Sequence, residues 1–213
     1  MIKRIKDGIH HGVLAITLYR EAAAELDYRM TKMGASGAAF GTNASFGASS
    51  AEPHHGAEDI SLSAGDTTLF DFGCKVEGYC SDITRTFFFG EPKDWQRRMY
   101  QVVTEAQQAA LKVIRAGVNG MAVDAAARAV IDASEFKGLM VHSTGHGLGL
   151  SVHDGGRMAP NHDFLLKAGM VLTVEPGVYI RGQGGVRIED DVLITEDGYE
   201  MLTDADKELR VVQ

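Results

Sequence analysis

Asp71 and Asp82 flank one turn-forming segment, Val76-Glu77-Gly78, and Glu175 and Glu189 flank another, Arg181-Gly182-Gln183-Gly184-Gly185. In an antiparallel hairpin, facing residues have position numbers of constant sum, so the turn centre names the neighbours across it. Asp71 with Asp82 centres inside the first turn, and Glu175 with Glu189 centres on Gly182. Each pair of carboxylates is therefore expected to meet across its own hairpin. Like charges so placed repel, and a single pair is satisfied by raising the pKa of one acid. Two pairs set among Phe70, Phe72, Leu172, Val174 and Ile188 are costly to bury ionised without a cation between them, and a divalent metal is the usual solution. The competing arrangement puts the acids on the solvent faces of half-buried strands and needs no ion.

Between the hairpins, His142, His146 and His153 fall within one Gly-rich segment, where small residues let backbone and imidazoles approach a common centre. Imidazole suits Zn, Mn, Fe and Co, whereas carboxylates suit harder ions. Four carboxylates with one histidine favour a hard or borderline ion such as Mn(II) over a thiolate-type structural zinc site.

These side chains need strands and turns to hold them. Thr67 to Lys75 and Tyr79 to Phe89 read as the first hairpin, and Met140 to Thr144, Met170 to Ile180 and Gly185 to Thr195 as later strands. Leu18, Ala22, Leu26 and Met30 recur at four-residue spacing in Thr17 to Met33, the pattern of an amphipathic helix ending near Gly34. Gly34 to Gly56 is rich in Gly, Ala, Ser and Asn, with Phe40 and Phe46 pointing to short strands and a shaped loop. Pro92 to Arg115 and Met121 to Ser134 read as two further helices, separated by Gly117 and Asn119-Gly120.

The order of helix, strands, two helices and strands defines an α+β fold rather than a βαβ series. No Gly-rich phosphate loop joins a strand to a helix start, which excludes dinucleotide and P-loop readings. With 213 residues, 45% hydrophobic and 23% charged, the chain buries a substantial core as one domain. A net charge of -8 without a basic block argues against nucleic acid or an anionic membrane as partner. Two cysteines, Cys74 and Cys80, are too few for a disulfide framework, and with no secretory signal or membrane span the expected location is the cytoplasm.

At Asp71-Phe-Gly, Ser81-Asp82-Ile-Thr-Arg-Thr86, Gly145-His146-Gly-Leu-Gly149, Thr173-Val-Glu175-Pro-Gly177 and Gly185-Val-Arg187-Ile-Glu189-Asp190, the sequence resembles the pita-bread metallopeptidases, the family of methionyl aminopeptidase, aminopeptidase P and prolidase. Five motifs in the family's order, across about Pro53 to Thr203, make the resemblance specific. It implies pseudo-symmetric halves of mainly antiparallel sheet with helices outside. It also implies two divalent ions, Mn(II) by preference with Co, Zn or Fe as alternatives. Asp71 would hold one ion, Asp82 and Glu189 would bridge both, and His146 with Glu175 would complete the second site around a shared water. Glu175 would also pass the proton from that water toward the leaving amine.

Pro53-His54, His142, His153 and Gly-Val-Arg187-Ile-Glu189 resemble the proline-directed branch, which implies hydrolysis of the bond between an N-terminal residue and proline, by an Xaa-Pro aminopeptidase or an Xaa-Pro dipeptidase. In that branch His54 and His153 would act around the scissile bond, with His55 the alternative to its neighbour. His142 would shape the proline pocket, and Arg187 would orient a bridging carboxylate or the substrate. The expected partner is a short peptide with proline second, and the family expectation is a homodimer. The expected organisation is a single catalytic domain over residues 1–213, without the N-terminal domain that proline-specific members commonly carry. The alternatives are a creatinase-like hydrolase of a non-peptide amide or amidine, and a non-catalytic binding module on the same fold.

Overall fold

A computed structural model describes residues 18–52 and 61–212, so His54 and His55 lie outside the described residues. Helix α1 (Leu18–Lys32) buries Ala22 and Leu26, and Gly34, at a φ of +108°, takes the left-handed turn after its end. The Gly/Ala/Ser-rich stretch forms strands β1 (Gly37–Ala38) and β2 (Asn43–Phe46), then a 3-10 turn over Gly47–Ala51. Phe46 and Phe70 pack against α1 in a small apolar cluster, which fixes this stretch despite its linker-like composition.

Strands β3 (Asp66–Phe72), β4 (Cys74–Val76), β5 (Tyr79–Cys80) and β6 (Ile83–Phe89) make the first hairpin. Its register differs from the expected one by two residues: Asp71 faces Thr84, Lys75 faces Cys80, and Val76 faces Tyr79. The turn is therefore the two-residue Glu77-Gly78, with φ of +52° and +87°, the mirror-image geometry that matches strand twist. Asp82 thus does not face Asp71, and the sequence-based pairing is corrected there. A displacement of two keeps every side chain on its face, so both carboxylates still point to one side of the sheet.

Two helices follow, α2 (Asp94–Val113) and α3 (Gly120–Asp132). Gln96 reaches back to accept the Lys93 amide at 2.7 Å, and Asn119 caps α3 by accepting the Met121 amide at 3.0 Å. Met99, Val103, Ala106 and Ala110 of α2 and Val123, Ala127 and Ile131 of α3 are fully buried in the main core. Each of the larger side chains contributes roughly 1.5–3 kcal/mol by leaving water.

Met140 to Thr144 is not a strand; the extended pairing there is confined to β7 (Gly145–His146) against β8 (Arg157–Met158). The last third forms β9 (Val171–Val174), β10 (Gly177–Ile180), β11 (Gly184–Arg187), β12 (Asp190–Ile194) and β13 (Tyr199–Met201), and β14 (Val211–Val212) runs parallel to β6. β9 pairs antiparallel with β12, and β10 with β11, in the register expected for Glu175 and Glu189. Each expected long strand is split, and the splits fall at Glu175-Pro176 and Ile188-Glu189. No helix among the described residues is long and apolar enough to cross a membrane.

Candidate metal centre

The breaks in both hairpins coincide with three of the four acids, Asp82, Glu175 and Glu189, whereas Asp71 lies within β3. Asp82 lies between β5 and β6, across from Gly73, where a Cβ would stand 1.8 Å from the carbonyl oxygen of Ser81. Only glycine permits that approach. At the second hairpin, the Glu175 amide donates to the Thr144 carbonyl at 2.7 Å, and the Glu189 amide donates to the Thr84 carbonyl at 3.2 Å. Each glutamate therefore leaves its own ladder and ties its backbone to a segment that carries another of the candidate ligands.

Asp71, Asp82, His146, Glu175 and Glu189 converge on one cavity of about 680 Å³, whose wall also includes His142, His153 and Arg187. Asp82, His146 and Glu189 each offer a ligand atom within 4.8 Å of the others. His146 Nε2 is 3.4 Å from Glu175 Oε1 and 3.8 Å from Asp82 Oδ2. Its Nδ1 lies 3.1 Å from the Gly147 carbonyl, so Nδ1 carries the proton and Nε2 turns its lone pair to the acids.

Desolvation governs the protonation of these groups. Burial, then the charges of Asp71 and Glu175, pushes Asp82 up to about 9, while burial holds Glu175 at about 7 and Glu189 well above the usual carboxylate range. Burial lowers His146 to about 4, leaving a neutral imidazole at neutral pH. Asp82 Oδ1 is buried with no hydrogen-bond partner. A divalent cation meets each of these conditions: it satisfies the orphaned oxygen, favours the ionised acids and accepts the imidazole lone pair. The residues fit such an ion, and the oxygen-rich donor set suits a hard or borderline one.

Arg187, 3% exposed, organises the opposite wall. Its Nη2 donates to Asp71 Oδ2 at 2.5 Å, its Nε to Thr84 Oγ1 at 3.1 Å and its Nη1 to Tyr179 Oη at 2.7 Å. Tyr179 Oη is in turn 2.7 Å from His142 Nε2. The guanidinium has only donors, so the phenol accepts from Arg187 and gives its own proton to His142. That assigns the His142 proton to Nδ1, which is 2.8 Å from the Ser143 carbonyl. Glycine at 177 makes room for this bridge, since a Cβ there would stand 2.5 Å from Tyr179 Oη.

Thr84 Oγ1 donates to Glu189 Oε2 at 2.6 Å, and Thr173 Oγ1 donates to Glu175 Oε1 at 3.2 Å. His153, an exposed residue, sets its ring centre 4.3 Å from that of His146, tilted by 55°. Sequence reasoning missed Tyr179, Thr84 and Thr173. For Tyr179 the signal was present: Gly177 faces Arg187, so Tyr179, two residues on, lies on the same face of the hairpin and diagonal to Arg187.

The sequence profile of metallopeptidase family M24 matches residues 1–196, and the chain belongs to that family. It is 43% identical to the Xaa-Pro dipeptidase of Pyrococcus furiosus over 190 residues, 89% of this chain and 55% of that protein. Among solved structures, the X-Pro aminopeptidase from Thermotoga maritima MSB8 matches at a TM-score of 0.90 and 41% identity, over 99% of this chain and 60% of that one. The prolidase from Pyrococcus furiosus matches at 0.88 and 39%, over 95% and 60%. The fold is thus the pita-bread fold of these peptidases, α+β as expected. The chain spans about half the length of the curated relatives it matches.

Proposed function

We propose that this chain carries the catalytic centre of an Xaa-Pro peptidase, hydrolysing the bond between an N-terminal residue and proline in a short peptide. One observation carries the reading: the five candidate ligands converge on a cavity also lined by His142, and Tyr179 and Arg187 join that histidine to Asp71. Membership of family M24, with relatives named Xaa-Pro dipeptidase, X-Pro aminopeptidase and prolidase, supports the substrate class.

In this reading Asp71, Asp82, His146, Glu175 and Glu189 would hold two divalent ions, Mn(II) by preference. Bound there, such ions supply Lewis acidity, which lowers the pKa of water and polarises an amide carbonyl. Glu175 takes the proton released by the attacking water and delivers it to the leaving amine. His153 and His54 act around the scissile bond, the latter by its place in the motif. His142 forms the proline pocket in the neutral tautomer set by Tyr179, and Arg187 fixes the Asp71 carboxylate. Residues 1–213 act as the catalytic domain, working in the cytoplasm as a homodimer. The half-buried free thiols of Cys74 and Cys80 fit a reducing compartment.

The test measures metal content together with hydrolysis of an Xaa-Pro dipeptide, an Xaa-Pro-Yaa tripeptide, a Met-Ala peptide and creatine, with and without Mn(II). The expected result is Mn(II)-dependent cleavage confined to the proline peptides, with the ratio of dipeptide to tripeptide turnover deciding between dipeptidase and aminopeptidase. Turnover of creatine alone would move the protein to a different hydrolase class. Unchanged metal binding and turnover in Asp82→Ala would sink the metal centre itself.

A further inference from the structure

Arg85 takes no part in the cavity. On β6 it follows Thr84 and precedes Thr86, whose hydroxyls bond Glu189 and Arg187, so strand alternation sends the arginine to the opposite face. It is nevertheless only 5% exposed, and all five of its N–H groups are used. Nη1 donates to the carbonyls of Thr84 at 2.9 Å and Glu189 at 2.5 Å. Nη2 donates to Asp190 Oδ1 at 2.6 Å and the Ala205 carbonyl at 2.7 Å, and Nε donates to the Asp206 carbonyl at 3.1 Å. Asp190 Oδ2 accepts from Gln107 Nε2 at 3.0 Å and from Lys207 Nζ at 2.6 Å.

We infer that Arg85 is a positioning residue for the metal centre, and that through it the segment around Ala205–Lys207 helps to set the Glu189 carboxylate. The argument is geometric. Glu189 sits in a gap between β11 and β12, where no ladder fixes its backbone. Its side chain is held by Thr84 Oγ1 and its amide by the Thr84 carbonyl, which leaves its own carbonyl to be fixed by Arg85. The guanidinium clamps the Thr84 and Glu189 carbonyls with one nitrogen, so the start of β6, two residues after Asp82, and the gap bearing Glu189 share a single rigid, planar tie. The tie is completed from outside by two carbonyls of the C-terminal segment and by the carboxylate of Asp190, which Lys207 also neutralises. Lysine has three donors on a flexible stem and is unable to reproduce a five-point planar fork.

The inference rests on the metal centre proposed above, and its test reads metal affinity as well as rate. In Arg85→Lys, checked for folding by circular dichroism and thermal unfolding, Mn(II) affinity is expected to fall about 10- to 100-fold, the usual cost of disturbing groups that orient metal ligands. The kcat on an Xaa-Pro dipeptide at saturating Mn(II) falls while KM stays, because the arginine lines no part of the substrate cavity. A folded Arg85→Lys protein whose Mn(II) affinity and kcat match the parent overturns the inference. Should the variant not fold, hydrogen exchange of the parent decides. Mn(II) that slows exchange at residues 205–209 supports the tie, and protection confined to the segments bearing the ligands overturns it. A parent that binds no Mn(II) removes the metal centre and this inference together, whereas a parent that binds while the variant binds equally removes this inference alone.

Discussion

Tyr179 Oη stands between His142 and Arg187, 2.7 Å from Nε2 of the one and 2.7 Å from Nη1 of the other, and donates only toward the histidine. The phenol thereby fixes which ring nitrogen of His142 carries its proton, and it does so from a hairpin that also presents Glu175 and Glu189. Removing the hydroxyl in Tyr179→Phe strips one acceptor from a buried guanidinium. Loss of a hydrogen bond to a charged group costs roughly 1.5–3 kcal/mol, so kcat/KM on Xaa-Pro peptides should fall about 10- to 100-fold. Metal content stays unchanged, because Arg187 keeps its bonds to Asp71 and Thr84 and the ligands stay in place. Steady-state kinetics with metal analysis on the same preparation checks this, and a variant that loses its metal would refute the assigned role.

Asp82→Asn should separate stability from metal binding. In the metal-free protein burial and the charges of Asp71 and Glu175 disfavour the ionised Asp82, so a neutral isostere relieves that cost. We expect a higher Tm than the parent in EDTA at about pH 8, together with loss of tight Mn(II) binding. Thermal unfolding with and without Mn(II) reads both effects, and a lower metal-free Tm would contradict the electrostatic account.

The pH dependence of the metal-free protein follows from the same burial. Folding raises Asp82 from 3.8 to about 9, Glu175 from 4.5 to about 7 and Asp191 from 3.8 to about 7, desolvation being the largest cause in each. A raised folded pKa gives stability that is fully present below the unfolded value and is lost as pH rises through the folded value. His146, lowered from 6.5 to about 4, acts in the opposite sense, but only below its unfolded value. Above about pH 6.5 the carboxylates act alone, so the Tm in EDTA should fall steadily toward pH 9. Saturating Mn(II) should flatten or reverse that slope, since the cation stabilises the ionised acids. A metal-free Tm that rises over this range would refute the protonation scheme.

Gly145→Ala offers a steric test. A Cβ at this position would stand 1.9 Å from the Thr173 carbonyl, a backbone atom with no room to yield beside His146 and Glu175. Destabilisation should exceed about 3 kcal/mol by urea unfolding, at the severe end for single substitutions. An effect below about 1 kcal/mol would mean that β7 and β9 separate more easily than their packing indicates.

Much of this architecture was legible in the residues. The three described helices ended within a few residues of their expected bounds, since apolar stripes and the breakers Gly34, Gly117 and Asn119 are local signals. The register that sets Glu175 opposite Glu189 also followed from the position of Gly182. The first hairpin was misjudged by two residues because its tight turn uses Glu77 in a left-handed conformation, where Asn or Asp is the usual marker. Met140 to Thr144 looked like a strand from its apolar residues, yet it is held as an irregular loop by long-range bonds. Arg128 of α3 donates to the Met140 and His142 carbonyls, and Asp124 accepts from both the amide and the hydroxyl of Thr144. Arg85 stood within the Ser81 to Thr86 motif without an assigned role, because its partners Glu189, Asp190, Ala205 and Asp206 are distant in sequence.

The amides of Glu175 and Glu189 bond to the carbonyls of Thr144 and Thr84, not to side chains. The amides of Asp82 and His146 bond instead to the side chains of Asp191 and Thr173. At the two glutamates the amide is thus stitched by main chain, which every residue except proline can supply. Such a frame is indifferent to what it displays. Either glutamate can be exchanged while that stitching stays, so chemistry at these two positions is free to diversify, or to be redesigned, faster than the backbone that carries it.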